Sequence, residues 1–222
     1  MPGEDEGKLP QPTKGDHAHL AAKALLSAIP FLGGPAAELF PTLLAPPLSK
    51  RRDAWMESLA RSLKALEERT EGLKVESLSE NEAFISAVMQ ATQSALRTHQ
   101  NEKLDALRNA VLKVAAGTAP EENLQSMFLA LIDAFTPLHL RLLGIFRNRS
   151  SANPEVFQEL RAQQPVSDQV IEDLAARGLI ALPAHLARSY SSPLFREPLI
   201  GADWQLTSLG NQFVSFVSEP ED

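Results

Sequence analysis

Few side chains in this sequence are placed to do chemistry. Asp133 and His139 flank Thr136-Pro137, a spacing that could set a general base beside the group that orients it. Asp16-His17-Ala18-His19 would put two imidazoles on one face of an extended segment, which is half of a metal site. No third ligand accompanies them, so two exposed histidines ahead of a helix are expected there, and no metal. His99, in the polar stretch RTHQNEK, and His185, in a long loop, have no evident partner and are read as structural. GxxxxGKS/T, GxGxxG, GxSxG and HExxH are all absent from the chain. With no cysteine, a thiolate nucleophile, a disulfide framework and any cysteine-based zinc site are excluded. The expectation is a protein that is not an enzyme and takes no cofactor and no identifiable small-molecule substrate. A site around Asp133 and His139 stays open as the alternative.

The elements that would position these residues are almost all helical. Hydrophobic residues make up 44% of the 222 residues and aromatics only 6%, with Ala and Leu abundant, which favours helix. Residues 1–17 are acidic and rich in Pro and Gly, have no basic n-region, and read as a disordered acidic tail rather than a signal peptide. Residues 18–117 should form an apolar hairpin plus a helical bundle. The hairpin is IPFLGGPAAELFPTLLAPPL and its preceding helix, where five of the 16 prolines fall within residues 29–48. Pro30 and Gly33-Gly34 should end one short helix, Pro41 should kink a second, and Pro46-Pro47 should stop it. Each arm is about 12 residues, or roughly 18 Å of helix, too short to cross a bilayer core of about 30 Å. The hairpin should either fold back on the long helix as core or dock on a protein partner or at a membrane surface, through Phe31, Leu32, Leu39, Phe40, Leu43 and Leu44. Lys50, Arg51 and Arg52 would meet anionic lipid, with Trp55 at the interface.

Ser49 should cap a long helix to about Thr70, with Trp55, Leu59, Leu63 and Leu66 on one stripe. Ser79 and Glu82 read as a capping box opening the next helix. Whether 80–116 is one helix or two is left open, and Gly117 should end it.

Residues 121–222 should hold a helical linker and a small α+β domain. Helices are expected over LQSMFLALIDAF, LHLRLLGIFRN, PEVFQELRAQ and DQVIEDLAARG, the last capped by Ser167. A strand LIAL, a loop of about 20 residues, a strand DWQLT and a helix capped by Thr207 complete the chain. The succession of three helices, strand, loop, strand and helix, with the words DLAARGLI and LTSLGNQF, resembles a winged-helix domain over roughly 136–217. Such a fold serves DNA-binding regulators and protein-binding modules alike; nucleic-acid contact would fall to Gln169, Arg177, Arg188 and Arg196. Charge argues the other way. Residues 121–222 carry seven Arg and no Lys against 13 Asp and Glu, and Asp168, Glu172 and Asp173 crowd the recognition-helix segment.

The words AIPFLGGPAAELF, KRRDAWMESLARSLKALEE, ALRTHQNEKLDALRNAVL and FTPLHLRLL resemble those of uncharacterised bacterial proteins. The layout is also distantly similar to the abortive-infection alpha family, linked to phage defence. These likenesses imply a bacterial effector or interaction module of a defence or stress pathway. Such a module would be cytoplasmic or peripheral to the inner face of the membrane, and would act through a protein partner or self-association. A winged-helix transcription regulator is the alternative.

Overall fold

The computed structural model describes residues 36–148, 154–184, 199 and 202–220, with the backbone alone for 36–45 and 154. Within them the chain is mainly helical, with one two-stranded sheet. It divides into two compact units, 1–57 and 58–222. Helices on both sides of residue 118 pack on one another within the second unit.

The first helix, α1 (Ala36–Arg69), corrects the reading of the proline segment. Pro41, Pro46 and Pro47 lie inside it, so the prolines do not stop the chain and Ser49 is interior rather than a cap. Each proline removes one N–H from the ladder, but its fixed φ near −65° is itself helical. From Leu48 to Arg69 no Gly, Pro or β-branched residue interrupts, and a helix with so favourable a body propagates back through its weak start. The first arm of the expected hairpin, like the 1–17 tail, lies outside the described residues.

In the second unit the end of α1 buries Leu59, Leu63 and Leu66 as one stripe. A 3-10 turn (Val75–Glu80) leads to α2 (Glu82–Arg97). The expected capping box is shifted. Asn81 is the cap and accepts from the Phe84 N–H at 3.0 Å, while the Ser79 hydroxyl donates back to Glu76 O. The open question over 80–116 resolves as two helices, α2 and α3 (Asn101–Ala115). Between them Thr98 and Gln100 adopt extended backbone and the Thr98 hydroxyl accepts the Gln100 N–H, a local bond that competes with helix. α3 ends at Gly117, whose φ of 68° is left-handed.

α3 is central, packing on α2, α4 (Glu122–Ala134), α5 (Pro137–Arg147) and α8 (Ser208–Val217). Its Leu107, Ala110 and Val111 are wholly buried. The core beside it is aromatic: Phe213 meets Phe128 edge-on at 5.3 Å and Phe135 at 5.7 Å, and Phe128 meets Phe216 at 5.7 Å.

α6 (Pro154–Ala162) and α7 (Gln164–Ala176) follow. α7 begins at Gln164, so Ser167 is inside the helix; it is wholly buried, and its hydroxyl donates to Leu160 O at 2.9 Å. It shares that carbonyl, at the end of α6, with the Gln163 N–H at 3.3 Å. Gly178 then turns the chain into β1 (Ile180–Ala181), which pairs antiparallel with β2 (Gln205–Leu206), Ile180 opposite Leu206. Thr207 caps α8 as expected, accepting from the Gly210 N–H at 3.0 Å.

Candidate functional site

Among the described residues, the one ionisable cluster with a buried member forms where α5 starts against α7. Pro137 sits at the first helical position and Thr136 is the cap, so the turn F-T-P-L-H is built to open a helix. His139 occupies the third position of α5 and closes a capping box with Thr136, the place where Glu or Gln usually stands. Its Nδ1 lies 3.2 Å from the Thr136 backbone N and 2.8 Å from Thr136 Oγ1. The backbone N–H can only donate, so Nδ1 accepts, and the ring proton belongs on Nε2. Nε2 is 3.2 Å from Asp173 Oδ2, across on α7. Arg177 Nε donates to the same oxygen at 2.9 Å. The imidazole lies flat on Phe135, 4.7 Å away at an interplanar angle of 6°, and the Arg177 guanidinium lies 5.4 Å from the Phe135 ring centre.

This geometry sets the charge. His139 is only 8% exposed, and burial pushes its conjugate acid below the ordinary histidine range. Asp173 opposes that shift, while Arg177 and Lys103 add to it. A start-of-helix position disfavours a cation as well, because the N-terminal end of the macrodipole is positive. The neutral ring is the form the site holds.

Asp133 and His139, the alternative base and orienter, are not brought together: Asp133 sits at the end of α4 and His139 is a buried, hydrogen-bonded residue. Asp133 forms an ion pair with Arg97 at 2.8 Å, and its backbone carbonyl accepts from Lys103 Nζ at 2.7 Å. His139 turns to Asp173 instead. Chemically, Thr136, His139 and Asp173 have the order of a hydroxyl–imidazole–carboxylate relay. Yet Nδ1 is already occupied by the cap's own N–H, and neither groove described below includes Thr136 or His139 among its walls. The arrangement works as a helix cap tied to a neighbouring helix. Asp173 was visible in the sequence only as one acid of an acidic helix; the spacing T-P-x-H was the signal that could have identified the cap.

The expected docking residues fall in several places. Phe31 and Leu32 lie outside the described residues, and Leu39, Phe40, Leu43 and Leu44 are described only as backbone of α1. Lys50, Arg51 and Arg52 are exposed, and Arg52 pairs with its neighbour Asp53 at 3.2 Å. Trp55 is 5% exposed, in keeping with its place on the apolar stripe with Leu59, Leu63 and Leu66. Of the residues proposed to meet nucleic acid, Gln169 is exposed and Arg177 is engaged by Asp173. Arg188 and Arg196 lie outside the described residues, as do Asp16, His17, His19 and His185. His99 is exposed. Among the described residues no three acidic or histidine side chains gather where a metal ion could sit, and no single helix is long and apolar enough to cross a membrane.

Two shallow grooves mark the second unit. One, of about 180 Å³, runs between α2 and α4 and is lined by Ala83, Ser86, Gln90, Gln125, Ser126 and Leu129, among others. The other, of about 200 Å³, lies between α3, α5 and α8, with Leu143, Val214 and Val217 in its wall and Glu102 and Asp105 at one side. Compared with known proteins, the chain matches no family model, no curated protein and no solved structure.

Proposed function

We propose that this chain is a non-enzymatic interaction module, an effector of a bacterial defence or stress pathway that docks through its apolar N-terminal segment on a partner or membrane surface. The observation that carries the reading is α1. A single helix joins the apolar, proline-bearing stretch 36–48 directly to the exposed cations Lys50, Arg51 and Arg52. An apolar segment followed by a basic turn is suited to an acidic or anionic surface. The commitment of both His139 nitrogens to Thr136 and Asp173 supports a structural rather than a catalytic role for that ring. The defence or stress assignment, and the cytoplasmic or membrane-peripheral location, rest on the resemblances of sequence alone.

Flotation with anionic phospholipid vesicles tests the docking, using the intact chain and a form lacking residues 18–48. Flotation of the intact chain alone, with the deleted form still folded, makes the segment a membrane element. If neither form floats, lipid is ruled out; if a protein partner or self-association is then lost with 18–48, the partner reading holds. If binding survives the deletion, the N-terminal docking reading fails.

A second reading, a winged-helix regulator, is favoured by one feature: α7 leads into β1, which pairs with β2 before α8 closes the domain. Against it stand the exposed acid Glu172 on α7 and the engagement of Arg177 by Asp173. Retention on duplex DNA that weakens steeply with salt would favour this reading, with Gln169, Arg188 and Arg196 as the contacts to replace.

A further inference from the structure

The chemistry around His139 carries a consequence for regulation that does not depend on the docking reading. Few capping boxes have an ionisable acceptor whose protonation falls within the ordinary working range of pH. Here the acceptor is Nδ1, and the donor facing it is the backbone N–H of Thr136, 3.2 Å away. A proton on Nδ1 would set two donors against each other and leave the Thr136 N–H without its acceptor. The Thr136 hydroxyl, at 2.8 Å, can rotate to accept from Nδ1, but the backbone N–H has no such freedom. An imidazolium would therefore gain hydration by turning outward. That rotation breaks the Nε2 contact with Asp173 and lifts the ring from Phe135.

The charges that face the ring come from two helices. α7 contributes Asp173 and Arg177, and α3 contributes Lys103. Asp173 favours the imidazolium, but its Oδ2 is shared with Arg177. Lys103 is a second cation, held by the Asp133 carbonyl, and the Asp133 carboxylate is paired with Arg97. From α8 the stack receives only Phe213, which meets Phe135 and brings no charge. The start of α5 has no acid in its first turn.

We infer that Thr136, His139 and Asp173 form an acid-released latch, which holds the start of α5 against α7 while the imidazole is neutral and lets it go when Nδ1 takes a proton. Release loosens the junction that leads from α7 through Gly178 into β1. The rest of the second unit, built on the α3 core, stays folded.

Amide hydrogen exchange on the full chain, read by mass spectrometry between about pH 7.5 and pH 5, tests this against His139→Gln. Gln at this position can still accept the Thr136 N–H but does not titrate. With intrinsic rates divided out, peptides covering 136–147 and 168–177 of the wild type should exchange roughly tenfold faster at the acid end. Peptides from α3 should not change, and His139→Gln should be flat throughout. A flat wild type, or an equal rise in His139→Gln, overturns the latch. Should that variant fail to fold, the wild-type NMR titration decides: the His139 ring must titrate below the ordinary histidine range, with the Thr136 amide signal moving on the same curve. A Thr136 amide that stays still while His139 titrates also overturns it.

Discussion

Gly210 is the position where one added methyl group should do most damage. It lies in the first turn of α8, and a Cβ built there would overlap the backbone carbonyl oxygen of Leu179, with the carbonyl carbon at 2.9 Å. Leu206 Cδ2 would be 3.2 Å away. The carbonyl cannot swing aside, because Leu179 O accepts from the Thr207 N–H at 3.0 Å, and Leu179 leads straight into β1. Gly210→Ala must therefore push α8 off the strand pair. That movement strains the Thr207 N–H bond and the Thr207 hydroxyl bonds to Gly178 O at 2.6 Å and Leu179 O at 3.3 Å. Losing two of these at about 1 kcal/mol each, plus roughly 1–3 kcal/mol for overpacking, gives a loss of about 3–5 kcal/mol. The gain in helix propensity from Gly to Ala, about 1 kcal/mol, offsets only part, leaving a net of roughly 2–4 kcal/mol. Gly144, inside α5, is the control, since a Cβ there meets nothing within 4 Å. Gly144→Ala should stabilise by about 0.5–1 kcal/mol. Urea unfolding of the three proteins side by side reads both effects. A Gly210→Ala protein as stable as Gly144→Ala would refute the close approach of α8 to Leu179.

Three further outcomes follow from the same packing. Stability should fall on acidification: the unfolded chain takes up a proton at His139 as pH drops through about 6.5 while the folded chain, with its imidazole held below that range, resists. The contribution is complete above that pH and is lost on the way down, and His139→Gln should remove this part of the slope in urea midpoints. Phe213→Ala removes a wholly buried ring that touches Phe128 and Phe135, and should cost about 3–5 kcal/mol by urea titration; a cost below about 1 kcal/mol would show that these rings are not the core. Arg97→Ala should cost under about 1 kcal/mol and less still in high salt, since the Arg97 side chain is 66% exposed in its pair with Asp133; a larger, salt-insensitive loss would contradict the exposed pairing.

Local signals were read correctly where one short segment carried the whole cause. Thr207 and Gly117 end or begin helices through bonds to residues a few positions away, so their roles could be assigned in isolation. The strands at 180–181 and 205–206 fall inside the segments LIAL and DWQLT. Errors came where two local signals competed. Ser79 and Asn81 both suit a cap, and the 3-10 turn gave the position to Asn81. Ser167 has the look of a cap because Ser precedes Asp168, but its hydroxyl donates across to Leu160 O at the end of the previous helix. Pro46 and Pro47 read as stops because each removes a bond, whereas the uninterrupted helix formers after them decide the outcome.

What the sequence by itself determined was the helical class, because its composition and 3.6-residue apolar stripes leave few other ways to bury Leu and Ala. It also determined the chemistry that is absent, since no cysteine can supply a thiolate or a disulfide. Only the tertiary structure decided the partner of His139. Asp133 lies closer along the chain, but α2 and α3 bring Arg97 and Lys103 to it, while the packing of α5 on α7 delivers Asp173 to the imidazole. Sequence distance measures reach along one element. Which charges meet across elements is set by the faces the helices bury, and those are fixed only when the core closes.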